Sequence, residues 1–148
     1  MWKGIWNLQV PHKVKHTLWR ASNEAIPTLN NLLRRNVVNS VYRPNCKAAF
    51  EDTIHALWGC QMLIVIWEAD EELKKFLRYK FHTYVDFLEL VFFTQDRIDV
   101  NLLAIILWLI WKKRNNDRVG CAMIDFHLIR AKVEVLLHDF QSAQAKNH

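Results

Sequence analysis

The sequence is poor in the residues that end strands and form tight turns: its 148 residues include three glycines and three prolines. A fold of many short strands needs turn residues about every 8–12 positions, so this scarcity argues against a β-sandwich or a barrel. Apolar residues make up 51% of the chain, with seven Trp and eight Phe, which excludes a disordered chain. We therefore expect a mostly α-helical protein with an aromatic core.

Long apolar runs and an export leader are also lacking. The most apolar run, Leu102–Trp111, has ten residues, whereas a membrane-spanning helix needs roughly 20. The N-terminus has no charged-then-apolar leader, so no export is predicted. Three cysteines without such a leader indicate a reducing compartment and not a disulfide scaffold. We expect an intracellular protein, nuclear or cytoplasmic, with no membrane partner.

Positive charge is concentrated near the start of the chain. Residues 1–60 carry eight Lys/Arg against three Asp/Glu, residues 61–100 five against eight, and residues 101–148 seven against four. A basic first segment is typical of contact with a polyanion such as RNA or DNA. The alternative is that these cations only keep the protein in solution.

Two of the three cysteines flank a histidine at a spacing that metal sites use. Cys46, His55 and Cys60 form a C-x8-H-x4-C pattern, which supplies three of the four ligands of a tetrahedral zinc site. A fourth ligand would be expected from a cysteine shortly before Cys46, as in C-x2-C, but that position holds Arg43. An arginine stays protonated and has no lone pair to offer a metal.

The elements around this pattern read as helices. A basic amphipathic helix begins at Pro11 and ends near Ile26, before the next proline. Thr28 is placed to cap a second short helix, and Thr53 to cap the helix that carries His55 and Cys60. The stretch 37–42 is β-branched and is predicted to be extended.

Beyond residue 60 the chain predicts a helical bundle. Residues 61–80 read as one or two helices, and residues 83–93 as a helix in preference to a strand. Asp99 or Asn101 opens a strongly apolar helix, and a final amphipathic helix covers Met123–Gln144. The predicted division is a small degenerate zinc-knuckle module at residues 1–65 and a helical connector at residues 66–148.

The order of these features resembles a known family. Trp2 and Trp6 give a W-x3-W start, followed by LQVP-x-KVKHTLWRA, IPTLNNLLRR, the C-x8-H-x4-C pattern and, downstream, WLIWKKRN. Together they resemble the zinc-binding domain of plant LINE-type (non-LTR) retrotransposon reverse transcriptases, with the helical segment that precedes its ribonuclease H domain. The resemblance covers nearly the whole chain.

The resemblance implies a zinc ion held by Cys46, His55 and Cys60. The family pattern reads C-P-x-C-x7–8-H-x4-C, so Arg43 replaces its first cysteine. The vacancy could be filled by water, by His12 or His16, or by Cys121; alternatively, the thiols are inert and His55 is a core histidine. The polymerase palm and the ribonuclease H domain of the family are not in this sequence, which suggests a fragment or remnant of a longer element.

Basic residues close to the knuckle are the candidates for binding RNA or single-stranded DNA. They are Lys13, Lys15, Arg20, Arg34, Arg35 and Lys47. Phosphates would contact these cations, and unpaired bases could stack on Trp2, Trp6 and Trp19 if those indoles are exposed and do not belong to the core. A second basic cluster beginning at Lys112 reads as favourable charge at a helix C-terminus.

No catalytic set is recognisable. Tyr84-Val85-Asp86-Phe87 resembles the polymerase Y-x-D-D motif only faintly, because two-metal phosphoryl transfer needs clustered carboxylates. We expect no enzyme, and a weak accessory contact with nucleic acid. The rival expectation is a metal-free interaction module that forms homo-oligomers through the apolar helices at residues 98–111 and 123–141.

Overall fold

The computed structural model describes residues 2–26, 28, 31, 42–43, 46–50, 52–118 and 126–146, and confirms the mostly α-helical fold class. The helices are α1 (Trp2–Trp6), α2 (His12–Ser22), α3 (Ile64–Glu68), α4 (Glu71–Lys74), α5 (Tyr84–Phe93), α6 (Val100–Arg118) and α7 (Phe126–Lys146). A π-helical segment covers His55–Gly59, and 3₁₀ turns cover Gln61–Leu63 and Lys75–Arg78. Strands β1 (Tyr42–Arg43) and β2 (Cys46–Phe50) pair antiparallel.

Helix α6 forms the centre of the core. It packs against α2, α7 and the π-helical segment. From Leu102 to Trp111 each side chain is buried except that of Trp108, which is half-buried. Because neighbours cover α6 on nearly all sides, the run is apolar around its whole circumference. In the described part of the chain, no helix combines the length and the hydropathy that crossing a bilayer requires.

An aromatic stack joins the π-helical segment to the helices after it. The ring centroid of Trp58 lies 4.4 Å from that of Trp67 and 4.6 Å from that of Phe87. The Trp67 Nε1 donates a hydrogen bond of 3.0 Å to the Trp58 carbonyl, which satisfies a buried donor. One hydrophobic cluster thus contains residues from both predicted units. The division at residue 65 falls inside α3 and stays a prediction.

Side-chain caps begin α4, α5 and α6. Thr83 Oγ1 accepts a hydrogen bond of 3.1 Å from the amide of Asp86 and starts α5, so the choice of helix for residues 83–93 is confirmed. Asp99 Oδ1 accepts from the amide of Leu102 at 3.1 Å, so Asp99 and not Asn101 caps α6. Asp70 caps α4.

Helix α2 ends earlier than the sequence predicts. It stops at Ser22, because Glu24 adopts a left-handed backbone with φ of 53° and the amide of Ala25 returns to the Arg20 carbonyl at 2.8 Å. This reversal ends the helix before the proline can. The predicted cap by Thr28 is present, since its Oγ1 accepts from the Asn31 amide at 3.1 Å. The rest of that short helix, and the predicted extended segment up to residue 41, lie outside the described residues.

Candidate metal centre and nucleic-acid face

The β1–β2 pair provides the backbone of the predicted knuckle. Arg43 and Cys46 are paired through their Cα positions, and Tyr42 is paired with Phe50, with an irregular register between Tyr42 and Arg43. Two residues separate Arg43 from Cys46 in the sequence, which is the spacing of a C-x2-C ligand pair. Arg43 therefore stands where the family pattern has its first cysteine, directly across from Cys46.

The π-helical segment holds the other two predicted ligands. His55 begins it, and Cys60 follows its last residue, with the Cys60 amide donating to the His55 carbonyl at 3.0 Å. Both side chains are buried: 7% of His55 and none of Cys60 is exposed. Single π-helical turns are frequent at functional sites because the wider turn re-aims side chains.

Asp52, not Thr53, starts this segment. The Asp52 Oδ1 accepts from the amide of His55 at 2.9 Å, which is the N-cap bond that we predicted for Thr53. Thr53 is fully buried instead, and its hydroxyl donates to the Glu24 carboxylate. The buried Thr53 hydroxyl needs a partner, and Glu24 at the end of α2 supplies it. The bond ties α2 to the candidate metal segment.

The donor set suits zinc, although its assembly is described only in part. The side chain of Cys46 lies outside the described residues, and Cys121 does as well. Among those that are described, no three His, Cys, Asp or Glu side chains cluster as metal ligands. Two thiolates and an imidazole are ligands that Zn²⁺ accepts, with one position left open. The set Cys46, His55 and Cys60 stays a prediction.

Two tryptophans that could have been core residues are exposed on the N-terminal surface. Trp6 is 36% exposed and Trp19 is 40% exposed, and their ring centroids lie 6.5 Å apart. The side chain of Trp2 lies outside the described residues. Trp6, at the end of α1, and Trp19, on the basic helix α2, therefore present ring surface to solvent, as the prediction of exposed indoles requires.

Lys13 and Lys112 converge on one indole. The Nζ of Lys13, on α2, lies 4.8 Å from the ring centroid of Trp108, and the Nζ of Lys112, on α6, lies 4.7 Å from it. Both lysines are exposed, and neither forms an ion pair with a described carboxylate. Cation–π contacts hold the two ammonium groups together on this surface. The sequence predicts Lys112 only as favourable charge near a helix C-terminus. Its approach to Lys13 depends on the packing of α2 on α6, which the sequence does not reveal.

The other predicted cations either donate hydrogen bonds to backbone carbonyls or lie outside the described residues. The Nζ of Lys15 donates to the Trp6 carbonyl at 2.9 Å, which braces the loop between α1 and α2. The guanidinium of Arg20 donates to the Ala25 carbonyl at 3.2 Å at the end of α2. Arg34 and Arg35 lie outside the described residues, as does the side chain of Lys47. Their contacts with nucleic acid stay predictions.

Comparison with known proteins agrees with the knuckle. Residues 1–67 match the family model described as zinc-binding in reverse transcriptase. The matched residues make up less than half of the chain, and they are similar to that family. The matched zinc-binding domain contains α1, α2, the β1–β2 pair and the π-helical segment, and it ends within α3.

A relative extends the likeness beyond the zinc-binding domain. An Arabidopsis thaliana protein named as a ribonuclease H protein is 28% identical over a 120-residue alignment that covers 78% of this chain. The chain covers 19% of the length of that relative. No solved structure matches the chain.

The cationic surface continues past the zinc-binding domain. Lys13 belongs to the domain, whereas Trp108 and Lys112 belong to α6, outside the matched residues. We call Lys13, Trp108 and Lys112 the α2–α6 face; the exposed rings of Trp6, on α1, and Trp19, on α2, form a separate pair. The zinc-binding domain and the helix that follows it therefore build this face together.

The faint Y-x-D-D resemblance has no catalytic geometry. Tyr84 is fully buried and Asp86 is exposed in the first turn of α5. Burial raises the pKa of Tyr84 far above its usual value near 10.0 and keeps the phenol neutral. The two side chains thus occupy different environments and do not form a shared site.

Proposed function

We propose that this chain is a non-catalytic, retrotransposon-derived reverse-transcriptase module that binds RNA or single-stranded DNA weakly through the α2–α6 face. The observation that carries the proposal is the meeting of Lys13 and Lys112 on the ring of Trp108. Two ammonium groups that have no ion pair with a described carboxylate attract the phosphates of a strand that crosses this surface. The exposed rings of Trp6 and Trp19 give successive bases a surface for stacking.

The contact is expected to be weak and tolerant of sequence. Phosphate contacts carry no base information, and a stacked base is recognised by its flat face, which every base has. Such a contact does not require hydrogen bonds from the protein backbone to the edges of the bases. Affinity therefore depends on the number of cations engaged and falls as salt rises.

A salt titration tests the proposal. Binding of a fluorescently labelled single-stranded RNA is measured by anisotropy for the full chain and for the double variant Lys13→Ala/Lys112→Ala. We expect weaker binding and a slope of log affinity against log salt that is shallower by about 1.4, since each single-strand phosphate contact contributes about 0.7.

A charge-matched control separates this face from overall charge. Lys74 and Lys132 are exposed on α4 and α7, and Lys74→Ala/Lys132→Ala removes the same two charges. If this control weakens binding as much as the first double variant does, the α2–α6 face is not the binding surface. Trp19→Ala should weaken binding with little change of slope, because it removes stacking and no charge.

Zinc has a structural role in the proposal. Cys46, His55 and Cys60 would hold the ion, with water in the fourth position, and the bound ion would fix the β1–β2 pair against the π-helical segment. The burial of His55 and Cys60 supports a structural ion, since a catalytic site must admit a substrate.

Self-association is the second candidate function. Helix α6 is covered by its own chain, so the apolar run at residues 102–111 offers no surface to a second copy. Helix α7 does, because Leu128 and Val135 are each 59% exposed and stand two turns apart. Sedimentation at increasing concentration tests this. Self-association would be favoured over nucleic-acid binding by two results together. The chain would form a dimer that Leu128→Ser/Val135→Ser abolishes, and the unchanged chain would not bind RNA.

A further inference from the structure

His12 and His16 form an exposed pair on the first two turns of α2. They are four residues apart, so they share one face of the helix. Their ring centroids are 5.4 Å apart, and the edge of Trp6 contacts both rings, at 5.7 Å and 5.5 Å between centroids. No hydrogen bond joins either imidazole to another described residue, and both side chains are exposed.

The separation of the two rings fits a shared metal ion. A metal–nitrogen bond of about 2.0–2.1 Å places the ion about 3 Å from each ring centroid, so two rings on one ion are at most about 6.5 Å apart. The observed 5.4 Å satisfies this limit without a change of backbone. Two histidines at i and i+4 on one helical face are the arrangement by which helices chelate transition metals.

We propose that His12 and His16 chelate a divalent transition-metal ion, Cu²⁺ or Ni²⁺ in preference to Zn²⁺, at a second site separate from the cysteine centre. Imidazole suits these ions, and Cu²⁺ binds most tightly of the three in the usual affinity order. We treat the histidine pair and the cysteine centre as two sites because their exposure differs: the rings of His12 and His16 are exposed, whereas His55 and Cys60 are buried. His12 and His16 thus do not serve as the fourth zinc ligand.

The surroundings set the strength of this site. Water molecules complete the coordination, because two side chains fill only two positions. Lys13, Lys15 and Arg20 lie on the same helix and repel a dication. The affinity is therefore modest, well below that of a four-ligand structural site.

Metal titration of the full, tag-free chain tests the proposal. CuCl₂ and NiCl₂ are added separately, and binding is followed by calorimetry and by quenching of tryptophan fluorescence, which Trp6 reports because its ring touches both imidazoles. The expected result is one ion per chain at the histidine pair, in addition to any ion that the cysteine centre holds, and at least tenfold weaker binding of that ion in each of His12→Ala and His16→Ala. Trp6→Phe should keep the calorimetric binding and lose much of the quenching.

Two further variants decide which site holds the ion. His138 is exposed on α7, so His138→Ala is the matched control and should bind as the unchanged chain does. Cys60→Ser should leave Cu²⁺ and Ni²⁺ binding at the histidine pair intact. Full binding in His12→Ala and His16→Ala, or its loss in Cys60→Ser, would overturn the proposal and assign the ion to the cysteine centre.

Discussion

Arg43 and Cys46 face each other as Cα partners in the β1–β2 pair. The family pattern has a cysteine at each of these two positions, so the backbone for a pair of ligands is present while one of the two thiols is not. An arginine cannot replace it, because its guanidinium is protonated and has no lone pair. The described part of the chain thus contains the strand pair of the predicted knuckle, and the predicted donor set has three ligands, Cys46, His55 and Cys60.

Arg43→Cys should restore the fourth ligand. A complete structural site contributes about 10–16 kcal/mol of apparent zinc binding energy, so we expect the variant to bind zinc at least tenfold more tightly. Zinc content after dialysis against a weak chelator, and the midpoint of thermal unfolding, should both rise. Arg43→Ser removes the same charge without adding a ligand and should change neither.

Cys60→Ser tests whether the unchanged chain holds zinc. Because Cys60 is fully buried, the substitution by itself is expected to lower the stability of the fold. The informative measurement is therefore the change in unfolding midpoint that a chelator causes in each protein. We expect a chelator to lower the unfolding midpoint of the unchanged chain and to leave that of Cys60→Ser where it is. Equal responses of the two proteins would mean that Cys60 does not bind the ion.

Features of the fold that depend on residues within one helical turn are predicted from the sequence better than features that depend on contacts between distant residues. Asp99 caps α6, as one of the two predicted alternatives, because a cap depends on residues within one turn. The end of α2 was placed too late, since a non-glycine residue, Glu24, adopts the left-handed backbone there. Thr53 was wrongly chosen as a cap because its tertiary partner Glu24 is 29 positions away.

The same limit applies to the candidate site. The spacing of Cys46, His55 and Cys60 is visible in the sequence, and so is the basic character of α2. The approach of Lys112 to Lys13 is not, because it depends on how α6 packs against α2. Whether Trp6 and Trp19 are core residues or exposed rings likewise depends on tertiary packing, and a periodicity of one helical turn is compatible with both.

Asp70 should make the stability of the chain sensitive to acid. Its Oδ1 caps α4, accepting from the amides of Glu72 and Leu73, and its Oδ2 accepts from Arg130 on α7 at 2.8 Å. Burial acts to raise the pKa of Asp70, but these hydrogen bonds outweigh it and the pKa is lowered. The stabilisation is therefore complete above the ordinary Asp pKa of about 3.9 and is lost as the pH falls below it.

Two substitutions separate the cap from the ion pair. Asp70→Asn keeps an N-cap acceptor and removes the charge, so its cost should be smaller in acid, whereas Asp70→Ala should cost about 1 kcal/mol more because the cap is lost as well. Denaturant unfolding at pH 7 and at pH 3 measures both. Glu134→Gln is the control: Glu134 is 58% exposed in its pair with Arg130 and should matter by less than about 0.5 kcal/mol.

Tyr84→Phe should stabilise the protein. The phenol is fully buried, and its hydroxyl has no hydrogen-bond partner in the described part of the chain. A buried polar group without a partner costs about 1–3 kcal/mol, and phenylalanine fills nearly the same volume without that cost. We expect a gain of about 1 kcal/mol, which for a chain of this size raises the unfolding midpoint by roughly 2–4 °C.

The gain from Tyr84→Phe should grow in alkali. Because burial raises the pKa of Tyr84 in the folded state, the unfolded chain releases the phenolic proton first, and the folded state loses stability as the pH rises above about 10. The variant has no such proton to lose. Denaturant unfolding at pH 8 and pH 11 measures the difference, with Tyr79→Phe as the control, since Tyr79 is 44% exposed. A gain from Tyr84→Phe that is the same at both values would show that the phenol is hydrated in the folded protein.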